Sequence, residues 1–277
     1  MIEAELHGKA AESLLDDEDL LTSAVLGLLQ YVSEPRFWIQ LWSRAKNQLG
    51  STVVDAASGL AAVEFHFWQR HPVHGEPDVI VAIHRVSGKP LVLVLEAKLW
   101  SSKSGTGEHD QLVRYLKALD DANWLREPPF MHQDVDRLGV VYLTPRAAWD
   151  EIADSIRESQ SAASRLFMLE WQDLHSVAID AAPTAMKIDR QILEKVAAVL
   201  ERRGLVYFSG FEQKDLEGVE PDSGSFLAGA SLFVGFNCDP GEDIRPEDAH
   251  FYEGSANAKQ HARSKSGKGV GRRRKDA

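Results

Sequence analysis

Only one cysteine, Cys238, occurs in the 277 residues. A lone thiol excludes a disulfide within the chain, so a reducing, cytoplasmic compartment is expected. Long apolar runs are also missing. No window approaches the roughly 18 uncharged apolar residues of a membrane-spanning helix, so no membrane partner is expected. The start, MIEAELHGKA, has no basic stretch followed by an apolar run, so no secretory leader is expected. No internal repeat is visible. The rest is ordinary for a globular chain, 44% hydrophobic and 26% charged, and is long enough for one large domain with an appendage.

The net charge of −11 argues at first against a nucleic-acid partner, but it is unevenly spread. From Ser255 onward stand eight basic residues against one acid, a net +7, which leaves −18 on residues 1–254. This tail has almost no large apolar side chains to offset the entropy of ordering, so a mobile arm is expected over 255–277. It is either a solubilising end or an arm whose Arg272, Arg273, Arg274 and Lys275 contact phosphates.

Hydrophobic periodicity predicts a helix over 12–32 through Leu21, Val25, Leu28 and Val32, and a second over the apolar segment 37–42. Strands follow at 63–70, 78–85 and 90–98, joined by short connections as an antiparallel meander. The last is nearly all apolar and is expected at the sheet centre. A Gly/Ser loop at 101–107 precedes a helix over 108–125. Strand 137–144, helix 146–160, strand 165–174 and helix 187–203, with Ile188, Ile192, Val196 and Val199 as its stripe, complete the pattern. The order predicts an α/β sandwich with a mixed sheet. Residues 1–180 are read as its core. Residues 181–254 are read as a helical and small-β extension, with short strands near 206–211 and 231–236.

The chemistry concentrates at Pro77-Asp78 and Glu96-Ala97-Lys98. If strands 78–85 and 90–98 pair antiparallel, the start of one lies beside the end of the other, so Asp78 meets Glu96. A period of two puts Glu96 and Lys98 on one face. Charges that end a buried strand need partners. A divalent cation bound by both carboxylates would supply one, and oxygen ligands suit Mg2+ or Mn2+. Lys98 would then orient or deprotonate a bound water, or stabilise charge on a phosphate. The plainer alternative is an ion pair at a strand end with Asp78 capping a loop. Gln111 and Tyr115, four residues apart, share one face of the following helix.

PD at 77–78, EAK at 96–98 and QLVRY at 111–115, in the order α-β-β-β-α-β over about 18–145, resemble the PD-(D/E)XK nucleases, the restriction-endonuclease-like superfamily. The resemblance implies a restriction-endonuclease-like sandwich. It implies that Asp78 and Glu96 bind metal, that the Ala97 carbonyl completes the site, and that Lys98 is catalytic, with Gln111 beside it. It often adds an acid from the first helix: Glu18 is the choice, with Asp17, Asp19 and Glu12 as rivals and a plain helix-start acid as the alternative. The implied function is Mg2+-dependent hydrolysis of DNA in preference to RNA, in bacterial anti-phage or mobile-element defence, as a homodimer or with a protein partner. A catalytically silent nucleic-acid-binding or partner-binding module and an RNA-directed nuclease are the competing functions. Beyond residue 175 the resemblance carries nothing.

Other residues read more plainly. His66, His71, His74 and His109 fit no zinc spacing and are expected at the surface or in packing. Arg70, at the end of the first strand, is either a surface residue or a phosphate contact. Glu64 lies at the far end of that strand, which argues against a metal role. Asp134 and Asp136 are expected in a solvated loop, and Trp38, Trp42 and Trp68 in the core. Loop 101–107 is either a connector or a substrate-facing element.

Overall fold

The computed structural model describes residues 6–7, 17–126 and 134–208, all within the unit Met1–Gly210. The tail residues Arg272 to Lys275, the strand expected at 231–236 and the rival acid Glu12 lie outside the described residues.

Six strands form one mixed sheet in the order β1-β6-β5-β4-β3-β2. They are β1 (Lys46–Asn47), β2 (Leu60–Phe67), β3 (Val79–Arg85), β4 (Leu91–Ala97), β5 (Asp136–Thr144) and β6 (Leu166–Glu170). β2, β3 and β4 make the expected antiparallel meander, and β5 and β6 continue it in parallel. All seven residues of β4 are buried, as a strand covered on both faces requires.

One face packs on α1 (Glu18–Leu29), α2 (Pro35–Arg44), α6 (Trp171–Ala181) and α7 (Lys187–Arg202). The other packs on α4 (Gln111–Asp120) and α5 (Trp149–Glu158). A single turn, α3 (Val53–Ala56), precedes β2. The alternation of β4 divides its side chains between the faces: Leu91, Leu93 and Leu95 join the first core, Val92 and Val94 the second.

Three expectations need correction. The strand expected over 165–174 ends at Glu170 and α6 begins at Trp171, because Glu170 and Asp173 form a reciprocal capping box. In α7 the buried stripe runs through Leu193, Val196, Val199 and Leu200, while Ile188 is exposed. Asp189 turns inward in its place and accepts hydrogen bonds from the backbone and hydroxyl of Ser33. No strand forms over 206–208, the described part of the one expected at 206–211.

Candidate active site

The hairpin register builds the site. Val79 pairs with Leu95 and Ile80 with Val94, so one step further sets Asp78 opposite Glu96. The Asp78 carboxylate accepts a hydrogen bond from the Ala97 backbone N–H at 2.8 Å. Glu96 continues the face of Val92 and Val94, towards α4. There Gln111, the first residue of that helix, donates its amide to Glu96 Oε1 at 2.7 Å. Lys98 Nζ donates to the same oxygen at 2.7 Å and to Glu18 Oε1 at 3.1 Å.

Glu18 is therefore the first-helix acid that reaches the site. Asp17 caps α1 by accepting from the Leu20 N–H, which places Glu18 at the helix's first position. Its second oxygen accepts from the Leu99 N–H at 2.7 Å and the Ser101 hydroxyl at 3.0 Å. Asp19 is exposed, and its charge is felt at Asp78. Trp171, buried at the start of α6, donates its indole N–H to the Lys98 carbonyl at 2.8 Å.

Three carboxylates thus surround one ammonium in a water-poor place. Glu96 is 2% exposed and Lys98 8%. Burial and then the neighbouring Asp78 hold the Glu96 carboxyl above its usual range. Burial does the same to Asp78, against the pull of the Ala97 N–H and Lys98. Burial alone would lower Lys98, but Glu96 and Glu18 outweigh it and keep the ammonium charged above the usual lysine range. Glu96 Oε2 is buried without a hydrogen-bond partner. The Asp78 backbone N–H pulls the other way on that carboxyl, less than burial and the Asp78 charge push it up.

Behind Gln111 lies a second cluster that sequence reading missed. Lys103 Nζ pairs with Asp110 and donates to the Ser155 hydroxyl at 2.8 Å. That hydroxyl reaches both Asp110 oxygens at 2.9 and 3.0 Å. Asp110 also caps α4 through the Val113 N–H. Glu151 accepts from the Lys103 N–H and from Tyr142. The loop 101–107 is thereby pinned: the Ser104 N–H donates to Gln111, and Gly105 sits at φ 76° where a Cβ would meet the His109 carbonyl at 2.1 Å. An acid one residue before an amphipathic helix was the signal available for Asp110.

The remaining candidates separate. His71 is buried, bonded to Asp121 and to the Val73 and His74 N–H groups, so it organises the 71–75 turn. His66 lies beside Glu64, and His109 is exposed. Arg70 is exposed beyond the end of β2. Asp134 pairs with Lys89; Asp136 opens β5 and pairs with Arg85, so it is a strand residue rather than a loop one. Trp38 and Trp42 are core, but Trp68 is not: it is exposed at a left-handed φ of 51°.

Among the described residues no group of three or more His, Cys, Asp or Glu side chains is placed to share a metal ion. Two carboxylates, one with an unbonded oxygen, are the donors at hand. That set suits a hard cation that keeps several waters. A groove of about 450 Å3 between α1 and α7, lined by Leu28, Ile188 and Ile192, shares no residue with the site. Among the described residues no helix is long and apolar enough to cross a membrane. No protein-family model, curated protein or solved structure matches the chain.

Proposed function

We propose that the chain is a metal-dependent phosphodiesterase of the PD-(D/E)XK type that hydrolyses DNA. The observation that carries this reading is the buried, unbonded Glu96 oxygen opposite Asp78, in a site where three carboxylates face a single ammonium. An uncompensated buried acid is costly in a purely structural ion pair. A divalent cation removes that cost.

Asp78 and Glu96 are the residues that would hold Mg2+ or Mn2+, and the resemblance adds the Ala97 carbonyl. A bound ion of this kind acidifies a water and neutralises phosphate oxygens. In the metal-free chain Glu96 and Glu18 hold the Lys98 ammonium above the usual lysine range, which suits it to donate a hydrogen bond to the attacking water or to a phosphate oxygen as charge develops there. Glu18 keeps Lys98 in place and ties the chain after it through Leu99 and Ser101. Gln111 fixes the Glu96 carboxylate from the opposite side.

The sandwich is read on the same grounds as restriction-endonuclease-like, with bacterial defence as the setting and a second copy or a protein partner where both strands are cut. Incubation with linear duplex, circular and single-stranded DNA and with RNA, each in Mg2+, Mn2+ or EDTA, tests the reading. Metal-dependent cleavage that disappears in Lys98→Ala supports it. Cleavage unchanged in both Lys98→Ala and Asp78→Ala would sink it. Binding of nucleic acid without cleavage, and without heat of Mg2+ or Mn2+ binding in calorimetry, would favour the silent module.

A further inference from the structure

The seven tryptophans divide by place. Trp38, Trp42, Trp124 and Trp171 are at most 8% exposed. Trp68, Trp100 and Trp149 are 43%, 65% and 37% exposed. All three exposed ones belong to one edge of the sheet. β3 runs against β2 and β4, and β5 runs with β4. The ends of β2, β4 and β5 and the start of β3 therefore share an edge. Trp68 follows β2, Asp78 precedes β3, Trp100 follows β4, and Trp149 opens the helix after β5. The opposite edge, with Leu60, Arg85, Leu91 and Asp136, holds no tryptophan.

Two of these indoles are tied to the site through their own backbones. The Trp68 N–H donates to the Asp78 carbonyl at 3.0 Å. Trp68 also takes a left-handed φ that bulky residues avoid, at a cost to the fold. Trp100 lies between Leu99 and Ser101, both of which bond Glu18. A lone exposed indole is unremarkable on a protein surface. All three exposed tryptophans stand on the carboxylate edge.

We infer that Trp68 and Trp100 stack on unpaired bases either side of the phosphate at the Asp78/Glu96/Lys98 site, so that the substrate is single-stranded DNA or an unpaired stretch within a duplex. The inference rests on the phosphodiesterase reading and adds the substrate class. In a duplex the base faces are already stacked on one another. A strand with free bases offers its faces to indoles, whatever its sequence. The body's net negative charge gives non-specific duplex attraction little help, so stacking beside the site supplies the selectivity.

The test uses the full chain in EDTA, with a fluorescein-labelled 20-nucleotide oligothymidylate and a 20-base-pair duplex, read by anisotropy. Wild type is expected to favour the single strand. Trp68→Ala and Trp100→Ala are each expected to weaken single-strand binding about tenfold and leave duplex binding within about twofold, while Trp68→Phe retains most of it. Circular dichroism melts confirm that the variants fold. Equal weakening on both probes, or none on the single strand, overturns the stacking role. If wild type cleaves DNA but does not distinguish the probes, this inference fails and the phosphodiesterase reading stands. If it neither binds nor cleaves any nucleic acid, both fail.

Discussion

Two buried lysine–carboxylate clusters lie on either side of Gln111, and they are built differently. In one, Lys103 meets Asp110, and the Ser155 hydroxyl and the Val113 N–H complete the carboxylate's hydrogen bonds. The Lys103 ammonium pairs with one carboxylate, while Glu151 beside it accepts from the Lys103 backbone N–H and the Tyr142 hydroxyl. In the other, Lys98 is shared between Glu96 and Glu18 while Asp78 stands opposite, and one Glu96 oxygen has no bond. The first has what a structural pair needs. The second carries surplus negative charge in a place that disfavours it. The difference separates a cluster that holds a loop from the one for which we propose a cation and a phosphate.

The largest expected effect falls on chemistry. Lys98→Ala should lower metal-dependent cleavage by about a thousandfold, with an unaltered circular dichroism spectrum, because it removes the charge that meets the phosphate. The same kind of change in the other cluster should act on stability. Lys103→Met strands the Asp110 charge inside the protein and should cost about 3–5 kcal/mol in a denaturant titration. A Lys103→Met protein as stable as wild type would erase the distinction between the clusters.

Glu96→Gln should do the opposite of Lys103→Met. It relieves the repulsion with Asp78 and removes a charge from a buried position. In EDTA the variant should gain about 1 kcal/mol over wild type, and added Mg2+ should no longer raise its midpoint. A loss of stability in EDTA would show that the site's carboxylates are already in balance.

pH sharpens the same contrast. Buried as they are, Asp78 and Glu96 titrate in the folded chain at about 6 and about 7, above the roughly 4 of an unfolded carboxyl. A raised folded value favours folding at low pH; that contribution is fully present below about pH 4 and is lost as the pH rises from there to about 7. Without metal, wild-type stability should therefore fall between about pH 4 and 7 more steeply than that of Asp78→Asn or Glu96→Gln. Saturating Mg2+ should flatten the slope. Parallel slopes for wild type and both variants would contradict the shifts. The smallest effect on either cluster belongs to deletion of 255–277. It should weaken DNA binding and its salt dependence while leaving Mg2+ binding by calorimetry unchanged; equal salt slopes would remove the tail from DNA binding.

Much of the site was legible because it is local. β3 and β4 are joined by a short turn, which sets the antiparallel pairing and brings the start of one strand beside the end of the other, Asp78 beside Glu96. The period of two then puts Lys98 beside Glu96. The helix carrying Gln111 was legible, but its start was not: it was expected from 108 and begins at Gln111, after the capping Asp110. The strands and most helices follow from the same periodicities. The signals misled where a cap competes with periodicity, at Trp171, and where a polar side chain turns inward, at Asp189 beside the exposed Ile188.

The meander, the pairing of Asp78 with Glu96 and the face of Lys98 can be read along the chain, because they depend on one short hairpin and its period of two. The rest depends on how distant segments pack. The tertiary structure picked Glu18 from the acids of the first helix, because the Leu99 N–H and the Ser101 hydroxyl, about 80 residues away in the chain, donate to its carboxylate. It left Trp68 in solvent, since a left-handed backbone at the end of β2 keeps it out of the core. It also set the charge state of Lys98 and left one Glu96 oxygen unbonded, because desolvation depends on everything packed around a group and not on its place along the chain.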